Sequence, residues 1–204
     1  MSTTHQTADP TAQKAAAQAD HSGLDPKQKL DALKELVAAT QTCMLTSQTP
    51  EGRLASRAMH AAALEGPVFR FYTNTESGKV DDLESHPEVN ISYVGKDGQS
   101  WASVSGRAKI NTDRGAVKKH WSSALKAWFD NKKDGKHTGD ENDPRVALID
   151  VHPTEIRLYN SEGKFSTAIS AAKAAVTGGV AAPGKLIILN ESELSVLATH
   201  FTGA

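Results

Sequence analysis

The chain has 204 residues, with 23 Lys plus Arg against 24 Asp plus Glu and a formal net charge of −1. That length suits one domain, or one domain with tails, and the charge balance argues against nucleic acid or a membrane surface as a partner. With 38% hydrophobic and 5% aromatic residues, part of the chain has to stay outside any core; the single Cys excludes a disulfide scaffold and a thiolate zinc cluster, and suits a reducing, cytoplasmic setting.

In chain order, residues 1–25 are rich in Ala, Gln, Thr and Ser without an apolar period, which reads as a disordered tail. The stretch lacks the basic start and apolar run of a secretory signal. No apolar run in the chain approaches the ~20 residues that span a bilayer. Asp25-Pro26 opens a helix with Leu30, Leu33, Leu36 and Val37 on one stripe. Residues 43–46, 54–64 and 68–73 read as strands, separated by turns at 49–52 and at Gly66-Pro67. Residues 80–85 form a short helix, stopped before Pro87. Strands follow at 89–94 and 101–111 across a Lys96-Asp97-Gly98 turn, and Gly106 marks a bulge or barrel corner. Asp113 caps a helix expected to carry Val117, Trp121, Leu125 and Trp128. A polar loop over 131–144 leads to strands at 146–151 and 155–159, and to one strand-like piece at 186–189. Many short strands with two or three helices predict a mainly β, α+β fold built on a small barrel. The barrel domain is expected over 26–160, with a C-terminal extension over 161–204.

Several motifs fail on inspection. Gly179 to Lys185 nearly matches a P-loop, but Leu186 replaces the hydroxyl that would hold magnesium, and a strand-like segment stands where a helix is needed. Asp130, Asp134, Gly135 and Glu141 nearly match a calcium loop, but Lys132 puts an ammonium where a ligand oxygen belongs. The eight His residues show no metal-ligand spacing, so no metal is expected. Cys43 sits in an apolar strand, as a small buried thiol does.

One constellation remains. Arg57 lies in a strand of small or apolar residues, SRAMHAAAL; Tyr72-Thr73-Asn74 follows, and Ser77-Gly78-Lys79 opens a helix. A phosphate dianion is served by such parts. Backbone N–H groups at a helix start point at an anion, and Gly78 lets it approach closely. Thr73 and Ser77 add hydroxyls, Lys79 a point charge and Arg57 a planar fork. An ordinary Ser-capped helix with surface Lys and Arg fits the same residues.

The segment SRAMHAAALEGPVFRFYTNTESGKVDDLESHPEVNISYV, followed by WASVSGRAKI and HWSSALKAWFDNKKDGK, resembles the FMN-binding split-barrel superfamily that includes pyridoxamine 5′-phosphate oxidase. Within it the chain is most similar to the general stress protein 26 branch and the fungal Bli-3 proteins. The resemblance covers about residues 27–160 and implies a six-stranded split barrel, paired as a homodimer with FMN contacted by both subunits. It also implies site residues. Arg57 approaches the FMN phosphate, and Ala58, Met59 and His60 run along the flavin. Tyr72, Thr73 and Asn74 contact ribityl and phosphate. Ser77, Gly78 and Lys79 form the phosphate turn, and Trp101 and Trp128 face the flavin or its pocket. Plain structural readings stand beside these: Met59 as core, Tyr72 and Trp101 as half-buried strand aromatics, Trp121 and Trp128 as packing residues, and His60 as a strand-end polar residue.

There is a departure from the oxidases. The lysine that helps hold the vitamin phosphate, five residues after the strand arginine, is Ala62 here, and their C-terminal Trp and Arg motif has no counterpart. The resemblance therefore implies a flavin-dependent oxidoreductase of undefined substrate, not a maker of pyridoxal phosphate. A stress protein that binds or senses FMN without turnover is the alternative, and F420 or haem are further ligands known on this barrel. No side chain stands out as a catalytic acid or base.

Overall fold

The computed structural model describes residues 23–161 and 185–202. All but the end of the expected N-terminal tail, and residues 179–184 of the P-loop-like stretch, lie outside the described residues. Helix α1 spans Pro26–Thr40 and starts where the sequence indicates. The Asp25 carboxylate accepts from the Gln28 backbone N–H at 2.9 Å, and the Gln28 side chain accepts from the Asp25 N–H at 3.0 Å. This reciprocal cap satisfies two amides that the helix leaves unpaired. Leu30, Leu33 and Leu36 form its buried stripe.

The strands are β1 (Thr42–Gln48), β2 (Leu54–His60), β3 (Ala63–Glu65), β4 (Val68–Asn74), β5 (Glu88–Val94), β6 (Trp101–Asn111), β7 (Val146–Asn160) and β8 (Lys185–Leu189). They form one antiparallel sheet in the order β2-β1-β5-β6-β7-β4-β3, with β8 on β7 beside the β4 pairing. The strands expected at 43–46, 68–73, 89–94, 101–111 and 186–189 are present, but the single strand expected over 54–64 is corrected: it breaks at Ala61-Ala62 into β2 and β3, because the two halves pair with different strands, β1 and β4. Although β2 and β3 end opposite sides of this path, only Ala61 and Ala62 separate them in sequence. Three Cα steps reach about 10 Å, so the sheet has to curl until its two ends meet at that corner. That constraint makes the sheet a split barrel. Its inner face carries Cys43, Leu45, Phe69, Phe71, Ile91, Tyr93, Val104, Ile149 and Val151, and α1 packs onto the same core.

Two expected strands are one. β7 runs unbroken through His152-Pro153 and carries the irregularity itself, with Thr154 as the extra residue opposite the Ser105–Gly106 step of β6. The register shifts between Ser105 and Gly106, as a bulge there requires. Gly106 is needed for this: a Cβ would stand 2.6 Å from the His152 carbonyl oxygen and 3.0 Å from Pro153 Cα.

The single helix expected after Asp113 is corrected. Helix α3 covers only Arg114–His120, and a 3₁₀ segment, Ser123–Trp128, follows. Trp121 leaves helical geometry at φ −63°, ψ 136°. Its ring sits edge-on to Tyr72 at 5.6 Å and tilted on Phe129 at 6.1 Å. Trp121 and Trp128 therefore share no helical face. In the following loop, Asp130 accepts from Arg145 at 3.1 Å and Asp134 from the His137 backbone at 2.7 Å, so the two aspartates of the near-matching calcium loop are engaged.

The C-terminal residues enter the fold. β8 pairs with β7 over Ile156–Asn160, and helix α4 (Glu191–Thr202) follows. Lys29 on α1 donates to the Ile188 carbonyl at 3.0 Å and to Glu193 at 2.6 Å. α4 was not expected, yet its signal was present. Asn190 and Glu193 form a reciprocal cap, each side chain accepting from the other's backbone N–H at 3.0 Å.

Candidate functional site

The end of β4 and the start of helix α2 (Gly78–Ser85) are joined by a tight turn. The Asn74 side chain accepts from the Glu76 N–H at 2.9 Å. Its carbonyl accepts from the Ser77 N–H at 3.0 Å and the Ser77 hydroxyl at 2.6 Å. Ser77 occupies the N-cap position in extended geometry, but its hydroxyl does not cap the helix. The first-turn amides of α2 thus have no side-chain acceptor. The Arg145 carbonyl accepts from the Thr75 N–H at 2.8 Å and anchors the turn from the far side.

Lys79 bends back over this turn. Its ammonium donates to Ser77 Oγ at 3.1 Å and reaches Thr73 Oγ1 at 3.5 Å. No carboxylate among the described residues pairs with it. Burial, and then the positive charge of Arg57, hold its pKa below the ordinary lysine value of 10.5. A half-buried cation beside a second cation, served only by hydroxyls, is an arrangement that an anion completes.

Arg57 arrives from β2 on the inner face, paired across from Leu45. Its Nη1 donates to Ser47 Oγ at 2.6 Å and its Nη2 to Asp82 Oδ2 at 2.8 Å. Ser47 itself donates to the same Asp82 oxygen at 2.9 Å. Ser47 and Asp82 are both buried, at 1% and 6% exposure, and neither was expected at the site. Their signals were faint. Ser47 is a hydroxyl in the inward alternation Cys43, Leu45, Ser47, and Asp82 is a carboxylate between the buried Val80 and Leu83.

Gly78 lies in the cradle. Its φ is not left-handed, and a Cβ built there would meet nothing within 4 Å. Nothing among the described residues requires glycine at this position, and its lack of a side chain leaves the turn's backbone open to close approach.

The structure thus brings Arg57, Thr73, Asn74, Ser77, Gly78 and Lys79 together. The other expected residues are placed differently. Ala58 and His60 face outward on β2, which pairs only with β1 among the described residues and so keeps one edge of backbone groups open. His60 contacts Thr42 Oγ1 at 3.1 Å, and Met59 packs on the core. The Tyr72 ring points away from Thr73, as strand alternation demands. Its hydroxyl donates to the Val117 carbonyl at 2.6 Å, and burial pushes the phenol up to about 12. Trp101 stacks on Tyr159 at 6.0 Å. It lies three strands over from Arg57 and three residues along β6 from Val104, which shares a row with Ile91, Leu45 and Arg57. That is about 14 Å across and about 10 Å along the sheet. Trp128 is 81% exposed.

Comparison with known proteins bears on the family and the fold. Residues 28–181 match the family model described as pyridoxamine 5′-phosphate oxidase like. The chain is 40% identical over 174 residues to protein bli-3 of Neurospora crassa, covering 82% of each. A solved general stress protein 26 from Jannaschia aligns with a TM-score of 0.56 at 22% identity, over 80% of this chain and 96% of that one. The general stress FMN/FAD binding protein from Xanthomonas citri aligns with a TM-score of 0.54 at 20% identity, over 76% and 96%. The curled antiparallel sheet is held in common with these solved structures, and the family model and the bli-3 match cover most of the sequence: the chain belongs to the pyridoxamine 5′-phosphate oxidase-like family, as a homologue of Bli-3 and general stress protein 26.

Proposed function

We propose that this protein binds FMN through its terminal phosphate and acts as a flavin-dependent oxidoreductase. The observation that carries the reading is the uncompensated, half-buried Lys79 beside Arg57 and the open Gly78. Two cations face one carboxylate there, which leaves charge for a phosphate monoester. The binding of FMN or FAD by the Xanthomonas citri relative supports a flavin. A terminal phosphate selects FMN among flavins, and also over haem, which has none. In this arrangement Thr73 and Ser77 orient the phosphate, Lys79 and Arg57 hold its charge, and the open edge of β2 offers backbone groups along Ala58–His60. FMN, when bound, supplies hydride or electron transfer. Ala61 and Ala62 supply no cation for a second, substrate phosphate, so pyridoxal phosphate is not the product.

The protein works as a homodimer in this reading. The outer face of β2-β1-β5-β6 leaves Met44, Leu54, Val94 and Trp101 exposed. Trp101, too distant to serve the Arg57 of its own chain, then faces the partner's flavin.

The test is titration of the purified protein with FMN and with riboflavin, which lacks the phosphate. Arg57→Ala and Lys79→Ala are each expected to weaken FMN about 10- to 100-fold, the worth of a charge-assisted hydrogen bond, and to leave riboflavin unchanged. Equal losses for both ligands would overturn the phosphate site, and a Soret band in the purified protein would overturn the flavin. A bound flavin that NADH or NADPH bleaches and an acceptor restores supports turnover. One that does neither assigns storage or sensing.

A further inference from the structure

Resting on that flavin reading, the geometry points to Asp82, seated by Ser47, as the positioning residue that sets the Arg57 fork in register with Lys79. An arginine carries its five donors in one plane on a flexible stem, so a phosphate gains from the fork only where that plane is held. Here both terminal nitrogens each give one N–H to the buried pair, Nη1 to Ser47 and Nη2 to Asp82. Three donors remain: the Nε–H and one on each terminal nitrogen. One edge of the guanidinium is thus spent on the protein while another stays available. The Ser47 hydroxyl closes the triangle by donating to Asp82, which holds the carboxylate in place.

The contact does more than orient one side chain. Arg57 belongs to β2, Ser47 to β1 and Asp82 to α2. Lys79 lies three residues before Asp82 on the same helix, and Ser77 is that helix's N-cap. The Arg57–Asp82 pair therefore ties the strand half of the phosphate site to the helix half. Without it, nothing else that Arg57 bonds belongs to α2.

Electrostatics alone favours the opposite design. A carboxylate beside a phosphate site repels the ligand. Removing a mere negative charge would tighten FMN, whereas removing a positioning residue weakens it. The two roles differ in sign, and that makes them separable.

The experiment is FMN and riboflavin titration of the full-length protein and of Asp82→Ala, Asp82→Asn, Ser47→Ala, Arg57→Ala and the Asp82→Ala/Arg57→Ala double variant. Asp82→Ala is expected to weaken FMN about 10-fold or more, with riboflavin affinity unchanged. Asp82→Asn, which keeps an acceptor for Nη2, is expected to fall between it and wild type. The double variant is expected to bind no more weakly than Arg57→Ala alone, because Asp82 acts only through Arg57. Tighter or unchanged FMN binding in Asp82→Ala, additive losses, or an equal loss for riboflavin would each overturn the proposal. If Asp82→Ala does not fold, Ser47→Ala reads the same ratio. A several-fold loss of FMN over riboflavin supports the proposal, and no change overturns it. Wild-type protein that binds no FMN removes the flavin reading itself, whereas wild-type binding with additive losses removes only the role of Asp82.

Discussion

Lys79 concentrates the chemistry of the site in one side chain. Its folded-state pKa lies below 10.5 because burial and Arg57 both oppose its charge. A bound phosphate opposes those effects and raises it again. Binding of FMN should therefore take up a proton at alkaline pH, between the free-state and bound-state values. FMN affinity should fall as pH rises through the free-state value. Calorimetric titration in two buffers of different ionisation enthalpy checks this, and an absence of proton uptake in wild type, or its persistence in Lys79→Ala, would count against it. In the free protein the same shift has the other consequence. The unfolded chain binds more protons between the folded-state value and 10.5, so stability rises with pH across that interval. At this scale the sequence was informative where contacts are local. Ser77, Gly78 and Lys79 are adjacent, and their turn bonds reach only to Asn74 and Thr73. Asp82 was missed because its partners are 25 and 35 residues away, and a carboxylate on a short helix has no local signature.

At the scale of elements, the pairing of β6 with β7 is the most demanding. The bulge at Thr154, opposite Gly106, lets β7 pass Pro153, which has no N–H to give, without breaking. Gly106→Ala forces a Cβ into backbone, which cannot rotate away as a side chain can. The expected cost is about 1–3 kcal/mol, the range for overpacking, read as a lower urea midpoint with unchanged slope. An unchanged midpoint would refute the close approach. The glycine was legible as a bulge, but the continuity of β7 was not, because a Pro inside a strand reads as an end until the partner strand is known. The break at Trp121 was hidden for a similar reason. The spacing of Val117, Trp121, Leu125 and Trp128 is helical, but the ring of Trp121 is drawn to Tyr72 on β4, far away in sequence, and to Phe129 just after the 3₁₀ segment.

For the whole molecule, the outer sheet face is the feature that a lone chain leaves unexplained. Leu54 and Val94 are 77% and 61% exposed on strands whose inner faces are half-buried on β2 and buried on β5. A second copy covering this face would bury them and bring Trp101 toward the partner's site. Leu54→Glu/Val94→Glu should therefore sediment as one copy where wild type sediments as two, with FMN weakened in the variant. A monomeric wild type would refute the dimer. No helix among the described residues is long and apolar enough to cross a membrane.

Taken by itself, the sequence determined the parts whose causes are local. These are the capped start of α1, the alternation of β1, β4, β5 and β6, the glycine opposite the bulge, the Ser77-Gly78-Lys79 turn and the motif set that marks the family. Each is set by neighbours within a few residues, through backbone hydrogen bonds, capping and steric freedom. Only the tertiary structure decided what depends on closure. Curling the sheet until β2 meets β3 sets Arg57 against α2, and adding β8 and α4 brings the C-terminal residues onto the core. Those contacts join residues far apart in the chain, and their geometry follows from which strands pair, a property that no local pattern encodes.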